Sequence, residues 1–151
     1  MLGKDEKEHA VSLLFDENCS CVIRKGDTIR LFRKRGVQDL LTLLHNEPEF
    51  VSGAFIADKI VGKGAAALMV LCRFGEVYAD VISTPARQLL DDARIKVSCS
   101  QEVPNIINRT NTGICPVEQL CSECKTAEEC LPKIETFAAA MAANSKNQER
   151  R

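Results

Sequence analysis

The sequence predicts an α/β domain whose mixed sheet starts with an antiparallel hairpin and continues with parallel strands. Two strand-like segments flank the Gly26-Asp27 turn, and this spacing is typical of a β-hairpin. The later strand-like segments are separated by helical segments, and strands joined in this way form parallel sheets with helices on both faces. No internal repeat or linker divides the 151 residues, so a single domain is expected.

The first half of the chain contains a helix, the hairpin, a second helix and a strand. Residues 5–15 have one apolar side, which favours an amphipathic helix. Leu40 and Leu44 recur at helical spacing, and Pro48 ends that pattern. Residues 51–57 are apolar with small side chains, as in a strand that is buried on both faces. The predicted elements are helix 5–15, strands 19–24 and 28–32, helix 36–46 and strand 51–57.

The second half alternates helices and strands. Gly62 and Lys63 precede an alanine-rich helix, and Thr84 followed by Pro85 is a typical N-cap and first helical position. The predicted elements are helix 62–71, strand 76–82, helix 84–93, strand 96–103 and a helix that begins at Cys115.

The last helix is predicted to follow a capping box that opens at Thr126. Pro132 is expected to kink or restart this helix, because proline lacks the backbone N–H that a helix interior needs. The core is then expected at about 12–143 of the single domain 1–151, with 144–151 as a frayed polar tail.

Composition excludes several classes of function. The chain carries 20 basic and 21 acidic residues and only 5% aromatic residues, so neither a nucleic-acid interface nor a stacking platform is expected. The charged segment Met1–His9 contains no apolar signal-peptide region. The longest apolar run, 65–72, is too short to cross a membrane. A cytoplasmic protein with mostly reduced cysteines is therefore expected, without a membrane partner.

Cys115 is the most informative residue of the chain, because the sequence places it where a helix starts. Pro116 suits the first helical position, where a missing N–H costs nothing. Glu118 then falls at the third helical position, from which a carboxylate can accept a hydrogen bond from the N–H of the cap. A sulfur at this location faces the positive end of the helix dipole, which favours the thiolate over the thiol.

Two segments carry a resemblance to a known group of proteins. They are the strand-to-helix segment 57–67, ADKIVGKGAAA, and the loop-to-helix segment 108–118, NRTNTGICPVE. With these segments the chain resembles the cytidine deaminase-like superfamily, and more narrowly a family of small bacterial proteins of unknown function on that fold. The resemblance spans roughly 12–137 and implies a three-layer α/β/α cytidine deaminase-like fold.

The resemblance does not extend to the zinc chemistry of true deaminases. Those enzymes carry a His or Cys ligand with a nearby Glu at the first helix start, and Pro-Cys-x-x-Cys at the second. Here the first start reads Gly-Lys-Gly-Ala-Ala-Ala, and Glu118 stands where the second cysteine of the later motif would be. Because metal-activated water and its carboxylate are both missing from this pattern, zinc-dependent deamination is not expected.

The leading functional hypothesis is a small-molecule-binding protein without a cofactor. Ligands of such folds gather where helix N-termini meet the carboxyl ends of strands. A cleft between the Lys63 helix start and Cys115 would suit an anionic or nucleotide-like ligand, because the glycines expose backbone N–H groups beside an ammonium. The predicted ligand-binding residues are Asp58, Lys59, Gly62, Lys63, Gly64, Asn108 and Arg109.

A thiol-dependent enzyme is the first alternative, with Cys115 as the nucleophile and Glu118 as a local acid/base or simply the helix cap. Whether the protein is an enzyme stays open at this point. His9 and His45 have no evident route to Cys115, so a Cys–His pair is not expected.

A metal centre is the second alternative, since Cys115, Cys121, Cys124 and Cys130 form a C-x5-C-x2-C-x5-C pattern suited to Zn²⁺ or an iron–sulfur cluster. Six residues separate the first two cysteines, about 9 Å along a helix, which opposes a single site. A homodimer formed through the apolar strands is a further expectation.

Overall fold

A computed structural model of the protein describes residues 3–34, 37–107 and 113–149, with side chains of the last helix described through Met141. The helices are α1 (Lys4–Asp16), α2 (Gln38–Asn46), α3 (Pro48–Val51), α4 (Lys63–Cys72), α5 (Thr84–Asp92), α6 (Pro116–Cys121) and α7 (Ala127–Glu149). The strands are β1 (Cys21–Lys25), β2 (Thr28–Phe32), β3 (Phe55–Val61), β4 (Glu76–Ser83) and β5 (Lys96–Val103).

The five strands form one mixed sheet in the order β2-β1-β3-β4-β5. Strand β1 is antiparallel to both β2 and β3, whereas β3, β4 and β5 run parallel. Gly26 adopts a left-handed conformation with φ of 59° in the hairpin turn, which glycine tolerates without steric cost. The predicted antiparallel hairpin and parallel strands are therefore confirmed.

Helices cover both faces of the sheet, although unequally. Because successive residues of a strand point to opposite faces, β1 and β3 contribute to two separate cores. Val22, Phe55 and Ala57 pack beneath α1. Ile23 and Ile56 belong to the larger core that is completed by α2 to α7.

The position of β3 differs from the prediction. Residues 48–51 form the short helix α3 instead of leading into a strand, and β3 runs through Asp58 and Lys59 to Val61. Asp58 pairs with Cys21 on β1 and with Ala79 on β4, so it lies within the sheet rather than after the end of the strand. Pairing on both sides keeps Asp58 extended, which overrides its low strand propensity.

The last helix also differs from the prediction. Helix α7 contains Pro132 without interruption and continues to Glu149, so the segment expected to be a frayed tail is helical for most of its length. Pro132 lies in the second turn, close to the helix start, where few backbone hydrogen bonds are lost. Of the helices in the described part of the chain, none is long and apolar enough to cross a membrane.

Candidate functional site

The amino-terminal end of α4 is in direct contact with α6 and with the loop that follows β5. Gly62 is the N-cap of α4. A Cβ atom on Gly64 would lie 2.3 Å from Val117 Cγ1, and one on Gly62 would lie 3.3 Å from Ile106 Cγ1. The two glycines therefore allow α6 and the loop to pack onto the helix start. A residue with a side chain at either position would collide with or crowd these neighbours.

Glu118 connects this packing to three segments of the chain. Its side chain is only 2% exposed. The carboxylate accepts hydrogen bonds from the backbone N–H of Lys63 at 3.2 Å, from the backbone N–H of Ile106 and from the Ser83 hydroxyl. Ser83 in turn accepts a hydrogen bond from Ala86 N as the N-cap of α5. One carboxylate thus joins the starts of α4, α5 and α6.

The protein therefore supplies its own anion to the start of α4. Helix N-termini attract anions because their first N–H groups are unpaired and their dipole is positive there. Glu118 occupies this position, so the predicted hydrogen bond from the N–H of Cys115 to Glu118 does not form. Cys115 N instead donates to Ile106 O at 2.8 Å.

Lys63 is also placed differently from the expected exposed ammonium. The residue is 8% exposed, and its Nζ donates to Ser122 O at 3.1 Å and to Cys124 O at 2.5 Å. These carbonyls lie in the connection between α6 and α7. The side chain therefore points beneath that connection, and its charge is directed away from an open cleft with Cys115.

Cys115 is the N-cap of α6 and Pro116 its first residue, as the sequence predicts. The thiol is half-buried and packs against the larger core. Both histidines are exposed, and His45 Nε2 lies 3.4 Å from Glu135 on α7. Neither the nucleophilic role of Cys115 nor the acid/base role of Glu118 is tested by this placement.

Cys121, Cys124 and Cys130 form a buried thiol cluster where α6 gives way to α7. A hydrogen bond from Cys130 lowers the pKa of Cys121, and the nearby charges of Lys63 and Lys133 act in the same direction. Burial raises the pKa of Cys124. The hydrogen bond to Cys121 raises the pKa of Cys130, with burial adding to it. The three thiols thus have unequal acidities.

The described residues do not include a group of three or more His, Cys, Asp or Glu side chains arranged to hold a metal ion. The ammonium of Lys63 close to the thiol cluster also opposes a dication in the same place. This arrangement does not favour Zn²⁺ or an iron–sulfur cluster, and the metal hypothesis stays a prediction for elemental analysis to decide.

Asp58 and Lys59 lie side by side in β3 but point to different faces. Lys59 Nζ donates to Asn18 Oδ1 at 2.9 Å, next to the end of α1. Asp58 faces Cys21 across the sheet, and burial raises the pKa of its carboxyl to about 7. The other two predicted ligand-binding residues, Asn108 and Arg109, lie outside the described residues.

An apolar groove lies at the carboxyl ends of the three parallel strands. It has a volume of about 510 Å³. Its lining consists of Ile60, Val81, Val103, Pro104, Asn105, Ile106, Ile107 and Ile114. Ile60 is 56% exposed and Ile107 is 50% exposed, although both are large apolar side chains. An antiparallel β-bridge pairs Ile107 with Ile114, so two of the isoleucines that line the groove are held next to each other.

A family model described as TM1506, domain of unknown function (DUF1893), matches residues 9–138. The chain belongs to this family. The expectation of a family of unknown function is thereby confirmed. A search of curated proteins found no match.

Among solved structures, the chain is similar to the crystal structure of a DUF1893 family protein (TM1506) from Thermotoga maritima. The TM-score is 0.82, and the alignment covers 91% of this chain and 92% of that chain. Because the two sequences share 23% identity, this likeness concerns the fold alone.

The sequence analysis proposed Lys63, Cys115 and Glu118 as site residues but did not identify the apolar groove. Two signals for it exist in the sequence, the Ile106-Ile107 pair directly after β5 and Ile114 before α6. A strand-end loop rich in isoleucine on both sides of a polar stretch is unusual for a solvated connection. Ile60 was not identified, because the predicted strand 51–57 ends before it, whereas β3 continues to Val61.

Proposed function

We propose that this protein binds a small, uncharged ligand with a planar ring, of nucleoside size, in the apolar groove at the carboxyl ends of β3, β4 and β5. The observation that carries the proposal is the exposure of three large isoleucines around one concave surface of about 510 Å³. The proposal also adopts a cytidine deaminase-like scaffold, which rests on the sequence resemblance and serves here only as analogy.

The position of the groove supports ligand binding. In open sheets with parallel strands, ligands bind outside the carboxyl ends of the strands. Small-molecule sites typically have volumes of about 300–1,000 Å³ and are lined mostly by apolar side chains with a few polar groups. The groove meets both conditions, and the Asn105 amide is a polar group at its border that can donate and accept hydrogen bonds.

The chemistry of the neighbouring residues favours an uncharged ligand over a phosphorylated one. The helix start that would attract a phosphate already holds the Glu118 carboxylate. The Lys63 ammonium donates to two backbone carbonyls of the α6–α7 connection instead of facing the groove. We therefore propose an uncharged, ring-shaped ligand that contacts isoleucine side chains, in place of the anionic or nucleotide-like ligand that the sequence predicted between Lys63 and Cys115.

Covalent chemistry by Cys115 is a second candidate function. Cys115 directly follows Ile114, which lines the groove, and its thiol is half-buried rather than enclosed. A ligand in the groove would therefore lie close to a nucleophile in the chain. Iodoacetamide labelling of Cys115, measured with and without saturating cytidine, tests this closeness. Unchanged labelling when cytidine is bound in the groove would contradict it.

Ligand-detected NMR with cytidine, adenosine and their 5′-monophosphates tests the main proposal. We expect saturation transfer from the protein to the base protons of the nucleosides, and no tighter binding of the monophosphates. Ile107→Ser should weaken binding by about tenfold, because it removes a large apolar contact from the groove.

Phe15→Ser is the matched control, since Phe15 is a comparably exposed apolar side chain on α1 and does not line the groove. This variant should bind nucleosides as the wild type does. Failure of both nucleosides to bind, or equal binding by the Ile107→Ser variant, would refute the proposed site. Monophosphates that bind at least tenfold more tightly would refute the preference for an uncharged ligand.

A further inference from the structure

We infer that a second cavity, at the end of the sheet opposite the apolar groove, binds a free α-amino acid as a zwitterion. This charged cavity has a volume of about 430 Å³ and lies where β1 ends and where β3 and β4 begin. Residues of α1, of the β1–β2 hairpin and of the starts of β3 and β4 line it. Its volume is within the range of small-molecule sites. The site does not depend on the ligand proposed for the groove.

The charges around the cavity are of both signs and cancel. Three basic and three acidic residues line it: Lys7, Arg24, Lys25, Glu6, Asp27 and Glu76. A phosphate or a divalent cation would be attracted by one of these sets and repelled by the other. A ligand that carries one charge of each sign is matched by both sets at once.

Arg24 is the basic group that lacks a partner. Its side chain is only 12% exposed. Its Nε donates to Gly26 O at 3.1 Å, which places the guanidinium beside the hairpin turn. Its terminal nitrogens make no hydrogen bond to any residue that the structure describes, since Glu6 Oε1 lies 4.0 Å from Nη2. Buried donors without an acceptor are costly, so the guanidinium favours a ligand that brings a carboxylate.

Glu6 provides the opposite charge at a suitable distance. Its Oε2 accepts a hydrogen bond from Gly3 N at 3.1 Å, which holds the side chain at the start of α1. Its Oε1 is the atom that lies 4.0 Å from the Arg24 guanidinium. An α-amino acid carries its carboxylate and its ammonium on the same carbon atom. The ligand carboxylate can therefore accept from Arg24 while the ligand ammonium donates to Glu6.

The other side of the cavity leaves room for an amino-acid side chain. Lys7 Nζ donates to Glu76 Oε1 at 2.6 Å and thereby ties α1 to the start of β4. Gly26 and Gly53 border the cavity with positive φ angles of 59° and 78°. A Cβ atom on either glycine would meet no other atom within 4 Å, so their backbone borders open space.

Ligand-detected NMR of the full-length protein with the standard protein L-amino acids tests the inference. We expect saturation transfer to at least one of them at millimolar concentration. The amide of that amino acid lacks the carboxylate, and its N-acetyl derivative lacks the ammonium. Each derivative should bind at least about tenfold more weakly, because each loses one charged hydrogen-bonded pair. Failure of every amino acid to bind, or equal binding by either derivative, would overturn the inference.

Arg24→Gln and Glu6→Gln should each weaken binding by at least about tenfold. Glu6→Gln retains an acceptor for Gly3 N, so the start of α1 is kept. Arg33→Gln is the matched control, since Arg33 forms an exposed ion pair with Glu17 and does not line the cavity. It should bind as the wild type does. Should circular dichroism show that Arg24→Gln is unfolded, Glu6→Gln alone decides, and unchanged binding by Glu6→Gln would overturn the inference.

Ile107→Ser distinguishes the cavity from the groove. The cavity borders Phe55 and Glu76 at the starts of β3 and β4, whereas the groove borders Ile60 and Val81 near their ends. The Ile107→Ser variant should therefore bind the amino acid as the wild type does, whether or not nucleosides bind in the groove. Loss of amino-acid binding in this variant would assign the ligand to the groove and overturn the inference.

Discussion

Two carboxyl groups of this protein, those of Glu118 and Asp58, are shielded from water but differ in their hydrogen bonds. Glu118 is buried between α4, α5 and α6, and three hydrogen-bond donors from separate segments reach its oxygens. Asp58 is half-buried within β3, where the N–H of Ile60 donates to it at 3.2 Å. Burial dominates at Asp58 and raises its pKa to about 7, despite this bond and a second one from the backbone N–H of Lys59.

The comparison separates a buried carboxyl that joins several segments of the chain from one whose pKa is governed by burial. A carboxylate that has enough donors becomes an anchor, because removing it would leave each donor without a partner. A carboxyl for which burial outweighs the hydrogen bonds retains its proton to a higher pH and makes stability depend on pH. Glu118 represents the first case and Asp58 the second.

Replacement of Glu118 should have the largest effect. Glu118→Ala leaves the N–H groups of Lys63 and Ile106 and the Ser83 hydroxyl without their acceptor, so we expect a loss of about 3–5 kcal/mol in the free energy of unfolding. Urea denaturation followed by circular dichroism measures this loss. Glu123→Ala, an exposed neighbour, should change stability by less than about 0.5 kcal/mol. Equal effects of the two variants would contradict the anchor role.

Removal of a single donor should have a smaller effect. Ser83→Ala takes away the hydroxyl that donates to Glu118 and the acceptor for Ala86 N at the start of α5. We expect a loss of about 1–2 kcal/mol by the same measurement, as for other lost N-caps. The exposed Ser52 serves as the control site for a Ser→Ala change. A neutral Ser83→Ala variant would show that two backbone donors suffice for the carboxylate.

The third prediction concerns the dependence of stability on pH. An unfolded Asp titrates near pH 3.9, whereas folded Asp58 titrates near 7, so the native state binds more protons between about pH 4 and 7. The stabilising contribution of protonated Asp58 is therefore present at low pH and is lost as the pH rises through this window. Asp58→Asn should remove this dependence, as measured by urea midpoints at about pH 5 and pH 8.

Asp16→Asn, at an exposed position of α1, is the control for this comparison and should follow the wild type at both pH values. Cys21, whose pKa is raised by burial and also by the charges of Asp58 and Asp39, is present in both variants. If the Asp58→Asn variant shows the same change in midpoint between the two pH values as the wild type, Asp58 does not titrate in this range.

The smallest effect is expected at Lys59. Its ammonium donates to Asn18 Oδ1 at an exposed location, and such contacts contribute little. Lys59→Ala should lower stability by less than about 0.5 kcal/mol. Because Lys59 lies on the opposite face of β3 from Asp58, the pH dependence should remain. Its loss in this variant would show that the two faces are electrostatically coupled.

Local sequence signals located several elements well. Strand β5 covers the predicted residues 96–103, and α4 begins after Gly62 and ends at Arg73 in a left-handed conformation. The start of α5 was missed by one residue, because Ser83 rather than Thr84 is the N-cap. These signals work where glycine, proline or a hydroxyl residue fixes the backbone locally.

The site was predicted less completely, since it depends on residues that are distant in sequence. The sequence identified Glu118 as a helix-start carboxylate, but its partners Lys63, Ser83 and Ile106 are brought to it only by the folded sheet. Asp58 was placed just after the predicted strand 51–57, because the partners that hold it in the sheet, Cys21 and Ala79, lie in other strands. Tertiary pairing of this kind leaves no local pattern.

The hydrogen bonds of Glu118 also have a consequence for how the chain acquires its structure. They join positions separated by 55, 35 and 12 residues. During synthesis, the two parallel crossovers β3-α4-β4 and β4-α5-β5 are made before Glu118. The donors of Lys63, Ser83 and Ile106 therefore lack this acceptor until α6 has been synthesised. Non-local closure of this kind slows folding, and chains that end ahead of α6 lack the acceptor for these three donors.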